Sequence, residues 1–111
     1  MGSKELVLAL DCGSSSCRAL AIDSAGRVIA RAQLPIKTFF PRAGWVEHDP
    51  MQVAAAQEKA LDLVLARLPK SANVIGLGLA CQRSTVVFWD RRTGKPIRRA
   101  PSWQDGRAAG I

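Results

Sequence analysis

The sequence has no long apolar run, no signal-peptide pattern and no internal repeats. No segment of the 111 residues approaches the roughly 20 consecutive apolar residues that a membrane-spanning helix needs. A secretory signal would place an apolar run behind a basic start, and none is present. We therefore expect a cytoplasmic protein without a membrane partner. The length predicts one domain.

Cysteine is scarce and irregularly spaced. The three residues are Cys12, Cys17 and Cys81, an odd number without a paired C-x-x-C spacing, which argues against a disulfide framework or a zinc site. Cys12 and Cys17 could face each other across a predicted hairpin, so a disulfide is geometrically possible. Nothing indicates an oxidising compartment, and we expect free thiols.

Acidic residues are outnumbered by basic ones, 9 to 16, which leaves a net charge of +7. Residues 81–111 hold seven of the basic residues and only two acidic ones. Such a balance favours polyanionic partners such as nucleotides, nucleic acid or anionic membranes. The basic run at residues 91–99 lacks interleaved exposed aromatic residues, which is more typical of a solvated turn than of a nucleic-acid surface.

The hydrophobic pattern predicts an α/β domain, a mixed sheet with a flanking helix. The first strand is apolar almost throughout, as in a sheet covered on both faces. Asp49 and Pro50 form a helix start, with Gln52 at the position of a capping box, and Pro69 ends the helix. Strands are predicted at about residues 6–11, 17–23, 28–34, 74–80, 85–89 and 97–102, and the helix at about residues 50–68.

Residues 6–23 predict a phosphate-binding strand–turn–strand. The turn offers small side chains and several backbone N–H groups, which can contact phosphate oxygens. Arg18 adds positive charge, and Asp11 is a carboxylate of the kind that holds a metal ion. Taken alone, the stretch predicts a phosphate site of unknown purpose.

Four motifs carry a resemblance to a known family. Residues 11–18 (DCGSSSCR) resemble the first phosphate motif of the FGGY carbohydrate kinases, D-x-G-[ST]-[ST]-S-x-R. Residues 44–50 (GWVEHDP) are similar to a segment of glycerol kinases. Residues 82–85 (QRST), 93–97 (TGKPI) and 103–105 (WQD) resemble the QRET…TGKPI…WQD run of the same enzymes. The resemblance covers nearly the whole chain and is closest to glycerol kinases.

The resemblance implies a ribonuclease-H-like fold of the actin, sugar kinase and Hsp70 group, in which two lobes enclose nucleotide and substrate. Residues 1–111 would be an incomplete N-terminal lobe of a kinase that transfers the γ-phosphoryl group of ATP, with Mg²⁺, to a hydroxyl of a sugar or polyol. The family's catalytic base and adenine site lie beyond these residues. We therefore expect no catalytic residue in the chain and no turnover by it alone.

The resemblance also implies roles for individual residues on the nucleotide side. Asp11 would position Mg²⁺, while Gly13, Ser14 and Ser15 would approach the β- and γ-phosphates. Arg18 would contact phosphate.

On the acceptor side, Arg83 would bind substrate hydroxyls and Trp103 would line the pocket. Ser84 stands where glycerol kinases carry a polyol-binding Glu, which leaves the identity of the sugar or polyol open. His48, beside the helix start, is interpreted as structural.

Two alternatives remain open. The chain could be a non-catalytic phosphate- or nucleotide-binding module that self-associates through the face left open by the missing lobe. It could instead be a basic nucleic-acid-binding domain, which predicts strongly salt-dependent binding.

Overall fold

The computed structural model describes residues 4–110. It contains seven strands and one helix within that range. In chain order these are β1 (Lys4–Cys12), β2 (Ser16–Asp23), β3 (Val28–Pro35), β4 (Thr38–Phe39), β5 (Glu47–His48), α1 (Pro50–Ala66), β6 (Ala72–Cys81) and β7 (Ala100–Pro101).

The main sheet has the strand order β3-β2-β1-β6. β1, β2 and β3 form an antiparallel meander, and β6 pairs with β1 in parallel. A parallel strand needs a crossover connection, and α1 lies within it, as the mixed pattern of the sequence predicts. The α/β class, a mixed sheet with a flanking helix, is confirmed.

The core lies between α1 and one face of this sheet. The helix contributes Ala60 and Val64, both with 0% exposure. Small side chains on the sheet let the helix approach closely, and leucines of β1 complete the cluster. The sheet residues are Leu8, Leu10, Ala19, Ala21, Ala30 and Ala32.

Helix α1 begins as predicted. Asp49 is the N-cap, with its carboxylate accepting a hydrogen bond from the Met51 amide at 2.9 Å, and Pro50 occupies the first turn. The capping box is wrong, because the Gln52 side chain bonds instead to Lys37 N–H and the carbonyl oxygen of Pro35. The helix ends at Ala66, two residues before the predicted end.

The strand predicted at residues 85–89 is wrong. Only an isolated bridge joins Trp89 to Pro96, and the segment otherwise makes scattered bonds, such as Val86 N–H to the carbonyl oxygen of Pro101. Prolines at positions 96 and 101 have no N–H to donate, so the facing segment cannot form a continuous ladder. The strand predicted at residues 97–102 is accordingly reduced to β7.

A second, smaller sheet was not predicted. It has the order β4-β5-β7, and it joins the segment before α1 to the last residues described. The two sheets extend the molecule, and its radius of gyration is 17.0 Å. A compact domain of this length would have about 13 Å. The chain is therefore more extended than a compact domain, and many of its residues do not pack against the core between α1 and the main sheet.

The part of the chain that the structure describes includes no helix that is both long and apolar enough to span a membrane.

The close approach of α1 to the sheet leads to a stability prediction. Ala60→Leu adds three carbon atoms to a fully buried position and should lower the free energy of unfolding by about 1–3 kcal/mol through overpacking. Ala55→Leu makes the same change on the exposed face of α1 and should change it by less than about 0.5 kcal/mol. Urea unfolding followed by circular dichroism measures both, and equal effects would contradict the packing described here.

Candidate functional site

The turn between β1 and β2 has two unused backbone donors. Gly13 N–H donates to the carbonyl oxygen of Ser16 at 2.9 Å, which closes the turn. Within residues 4–110, the N–H groups of Ser14 and Ser15 make no hydrogen bond. Neighbouring free N–H groups in a turn suit an anion. A residue outside the turn also stabilises it, because Ile36 N–H donates to the Ser15 carbonyl oxygen at 3.0 Å.

Asp11 and Arg18 are direct partners across the β1–β2 ladder. Both are exposed, and strand alternation directs both to the sheet face opposite α1. In the described range, neither side chain takes part in a salt bridge. The carboxylate of Asp11 and the guanidinium of Arg18 are therefore accessible to solvent next to the turn.

Gln82 links the turn to the loop that follows β6. Its backbone N–H donates to the Cys12 carbonyl oxygen at 2.9 Å, and its side-chain amide donates to the Gly13 carbonyl oxygen at 3.2 Å. Its side-chain oxygen accepts from the Thr85 hydroxyl at 2.8 Å. Thr85 Oγ1 in turn accepts from Trp103 N–H at 3.2 Å. A chain of hydrogen bonds thus runs from the turn to Trp103.

The predicted acceptor-side residues share one pocket. Arg83, Ser84 and Trp103, together with Gln82, line a pocket of about 320 Å³. All three are exposed, and Trp103 is 53% accessible. Ser84 has a φ of 60°, which is unusual for a residue other than glycine. Backbone strain of this kind tends to occur at functional sites.

Comparisons with known proteins show the family to which the chain belongs. The family model "FGGY family of carbohydrate kinases, N-terminal domain" matches residues 6–111. The chain belongs to the FGGY family of carbohydrate kinases. It is 45% identical over 103 residues to a glycerol kinase of Verminephrobacter eiseniae, covering 92% of this chain and 20% of that protein.

Solved structures extend the likeness of this FGGY chain to the backbone. A Plasmodium falciparum glycerol kinase with ADP superposes with a TM-score of 0.89 at 28% identity, covering 99% of this chain and 22% of that one. A xylulose kinase from Rhodospirillum rubrum gives 0.88 at 27% identity, covering 95% and 22%. The ribonuclease-H-like fold expected from the motifs is confirmed. The chain spans about a fifth of the length of the curated relatives it matches.

A charged cluster of Glu47, Asp105 and Arg107 was not predicted from the sequence. Glu47 is only 5% exposed, and Arg107 donates to its carboxylate at 2.6 Å. Arg107 also donates to both carboxylate oxygens of Asp105, and its guanidinium lies 3.8 Å from the centre of the Trp45 ring. The cluster ties the GWVEHDP segment to the residues after WQD. Both segments belong to the motifs, but nothing in their spacing signals the ion pair.

Two arginines of the basic run at residues 91–99 contact other residues of this FGGY chain. Arg98 and Arg99 lie 3.9 and 4.0 Å from the Glu47 carboxylate, and the Arg99 guanidinium is 3.6 Å from the centre of the Phe39 ring. Both arginine side chains stay about half exposed, at 52% and 45%, so these contacts take up only part of their charge.

The single histidine is enclosed. His48 is 1% exposed, with Nδ1 3.3 Å from the Lys37 carbonyl oxygen. Its Nε2 has no hydrogen-bond partner among the described residues. The environment is consistent with the structural interpretation.

The charged cluster predicts acid sensitivity. Hydrogen bonds from the Arg107 side chain, foremost, and from the Arg107 and Val46 amides hold the pKa of Asp105 well below its usual range. Because the folded pKa is below the unfolded value of about 3.9, this stabilisation is complete above about pH 5 and is lost as the pH falls. Asp105→Asn should therefore lower the thermal midpoint near pH 7 and flatten its decline between about pH 5 and pH 2.

Thermal unfolding of the wild type and variants across that range measures the effect. Asp62→Asn, on the exposed face of α1, should leave the midpoint near pH 7 unchanged. If Asp105→Asn keeps the full wild-type decline, the ion pair does not contribute as described.

Proposed function

We propose that this chain forms the phosphate-binding N-terminal part of an ATP-dependent kinase for a sugar or polyol. The observation that carries the proposal is the Gln82 linkage, which joins the free-amide turn to the pocket of Arg83 and Trp103. Phosphoryl transfer depends on positioning donor and acceptor next to each other, and on charge stabilisation. A phosphate site and a hydroxyl-binding pocket held adjacent meet that requirement.

On the nucleotide side, the free amides of Ser14 and Ser15 would donate hydrogen bonds to phosphate oxygens. The Gly13 amide is already used inside the turn, so Gly13 would contribute close approach of the backbone. Arg18 would supply positive charge. A relative's structure contains ADP, which supports a nucleotide as the phosphate source.

A single carboxylate at this site fits Mg²⁺. Mg²⁺ is commonly held by one or two carboxylates, substrate phosphates and water. Asp11 is exposed and unpaired beside the turn, and the described residues contain no group of three or more metal-ligand side chains. Asp11 would therefore hold the ion together with nucleotide phosphates, and the ion would neutralise phosphate charge.

On the acceptor side, the Arg83 guanidinium would donate hydrogen bonds to substrate hydroxyls, and the exposed indole of Trp103 would provide an apolar wall for the carbon skeleton. Ser84 would present a short hydroxyl at the strained position. These groups select a polyhydroxylated substrate, and they leave the choice between sugar and polyol open.

A chimera tests the proposal. Residues 6–111 would replace the matched segment of the Verminephrobacter eiseniae glycerol kinase, and ADP release would be measured with a panel of sugars and polyols. We expect turnover with at least one acceptor. Asp11→Asn should lower kcat by about 100-fold, because the carboxylate proposed to hold Mg²⁺, which would neutralise the phosphate charge, is removed.

Asp62→Asn, an exposed carboxylate on α1, is the matched control and should leave kcat within about twofold. The 111-residue chain alone should release no ADP, since the base and the second lobe are contributed by other residues. Full activity of the Asp11→Asn chimera would overturn the assigned role of Asp11, and turnover by the isolated chain would overturn the need for the second lobe.

A specific observation favours self-association as a second property. β6 forms the edge of the main sheet, and its apolar side chains are exposed: Val74 42%, Ile75 59%, Leu77 52% and Leu79 71%. An added Cβ at Gly76 or Gly78 would meet no other atom within 4 Å among the described residues. A long, apolar, unpaired edge is a template for another strand, and a second copy of the chain is the occupant we propose.

Light scattering after size exclusion tests this second property. The wild-type chain should form a dimer or larger species at micromolar concentration, and Leu77→Lys combined with Leu79→Lys should shift it to monomer. Phe40→Lys with Ile97→Lys places the same charges on apolar residues elsewhere, 71% and 66% exposed, and should not dissociate it. A wild-type monomer at all concentrations would refute the proposal.

A further inference from the structure

The three cysteines lie in one row across the main sheet. Cys17 on β2 is the register partner of Cys12 on β1, which is in turn the register partner of Cys81 on β6. Register partners on neighbouring strands direct their side chains to the same face. Exposure increases along the row, from 0% at Cys17, through partly exposed Cys12, to exposed Cys81.

The Cys12–Cys17 pair has the backbone geometry of a cross-strand disulfide. The adjacent bond from Gly13 N–H to the Ser16 carbonyl oxygen makes Cys12 and Cys17 a non-hydrogen-bonded pair, in which Cα atoms are about 4.5 Å apart. Disulfides join Cα atoms about 4.4–6.8 Å apart. The two sulfur atoms lie 2.7 Å from each other, so little movement is needed for bond formation.

The two thiols differ in reactivity. Cys17 Sγ lies 3.7 Å from the Val53 carbonyl oxygen, to which it donates. Burial, foremost, together with the hydrogen bond to Cys12 and the charges of Cys12 and Asp11, raises the pKa of Cys17 to about 12. Cys17 is fully buried whereas Cys12 is partly exposed, so the first attack on a reagent from solvent falls to Cys12.

We propose that Cys12 and Cys17 form a redox-active dithiol that a small disulfide such as oxidised glutathione converts to an intramolecular disulfide. The Cys12 thiolate attacks one glutathione sulfur, the S–S bond of the reagent breaks, and one glutathione thiolate leaves. The Cys17 sulfur then gives up its proton and attacks the Cys12 sulfur, and the second glutathione thiolate leaves. Two electrons pass to the reagent, which becomes two thiols, and both protein protons are accounted for on them.

The bond would close the base of the turn at residues 13–16. This inference goes beyond the proposed kinase function, because bond formation is measured without nucleotide and can fail while that function stands.

The experiment uses the 111-residue chain with Cys81→Ser, which keeps the pair and removes the third thiol. After oxidised glutathione, denaturation and alkylation, the intact monomer mass should be lower by two hydrogen atoms, with no alkyl label and no glutathione adduct. Cys17→Ala should instead stop at a stable glutathione adduct on Cys12. In the wild type the Cys12–Cys17 bond should form as well, and the exposed Cys81 should carry either one alkyl label or one glutathione, with no bond to another cysteine.

A second measurement separates folded geometry from sequence proximity. At equilibrium with a fixed mixture of oxidised and reduced glutathione, the ratio of disulfide to dithiol should be at least about tenfold higher in the folded chain than in urea. Equal ratios, two labelled thiols after oxidation, or a bond through Cys81 in the wild type would each overturn the proposal.

Discussion

The parallel pairing of β1 with β6 is the constraint on which the candidate site depends. The two strands remain paired up to Cys12 and Cys81. The turn after β1 and the loop after β6 therefore leave the sheet at the same end, where both strands finish. Gln82, the first residue beyond β6, then reaches the carbonyl oxygens of Cys12 and Gly13. A parallel pair requires a crossover, and the packing of α1 against small sheet residues holds that crossover in place. The geometry of the candidate site therefore depends on the packing of the core.

Away from the main sheet, charged side chains supplement the short backbone pairing of the second sheet. The prolines at positions 96 and 101 interrupt the ladder of the facing segment. The last described segment is held by backbone hydrogen bonds and by the ion pairs of Glu47, Asp105 and Arg107. Glu47 is nearly buried, and a buried carboxylate without a partner would be strongly destabilising. The guanidinium of Arg107 satisfies both carboxylates, and the Ser102 amide bonds the Val46 carbonyl oxygen beside them. This pairing fixes the segment that carries Trp103.

Charged side chains and thiols lie next to each other at the end of β1. Asp11 faces away from α1 with Arg18, while Cys12 faces the helix side with Cys17 and Cys81. Strand alternation separates a charged face from a thiol face within two consecutive residues. The free amides of the turn lie between them. A bond between Cys12 and Cys17 would therefore join the two residues that flank the turn.

The elements of the main sheet were predictable, because their signals are local. The apolar run of β1, the turn residues after Cys12 and Asp23, and the cap at Asp49 depend on neighbours a few residues away. Thr38–Phe39 and Glu47–His48 gave no such signal, since strands of two residues have no period to detect. Residues 85–89 have strand-like composition, but the prolines that face them prevent the ladder.

By itself, the sequence determined the family, through motifs whose order is written along the chain, and it determined the helix and the turn after β1, because the signals for both are local. Only the tertiary structure decided that Gln82 joins the turn to the pocket of Arg83 and Trp103, that Arg107 pairs with Glu47, and that three cysteines distant in sequence form one row. Each of these depends on strand register and on contacts between residues up to about 70 positions apart, which local propensity does not encode.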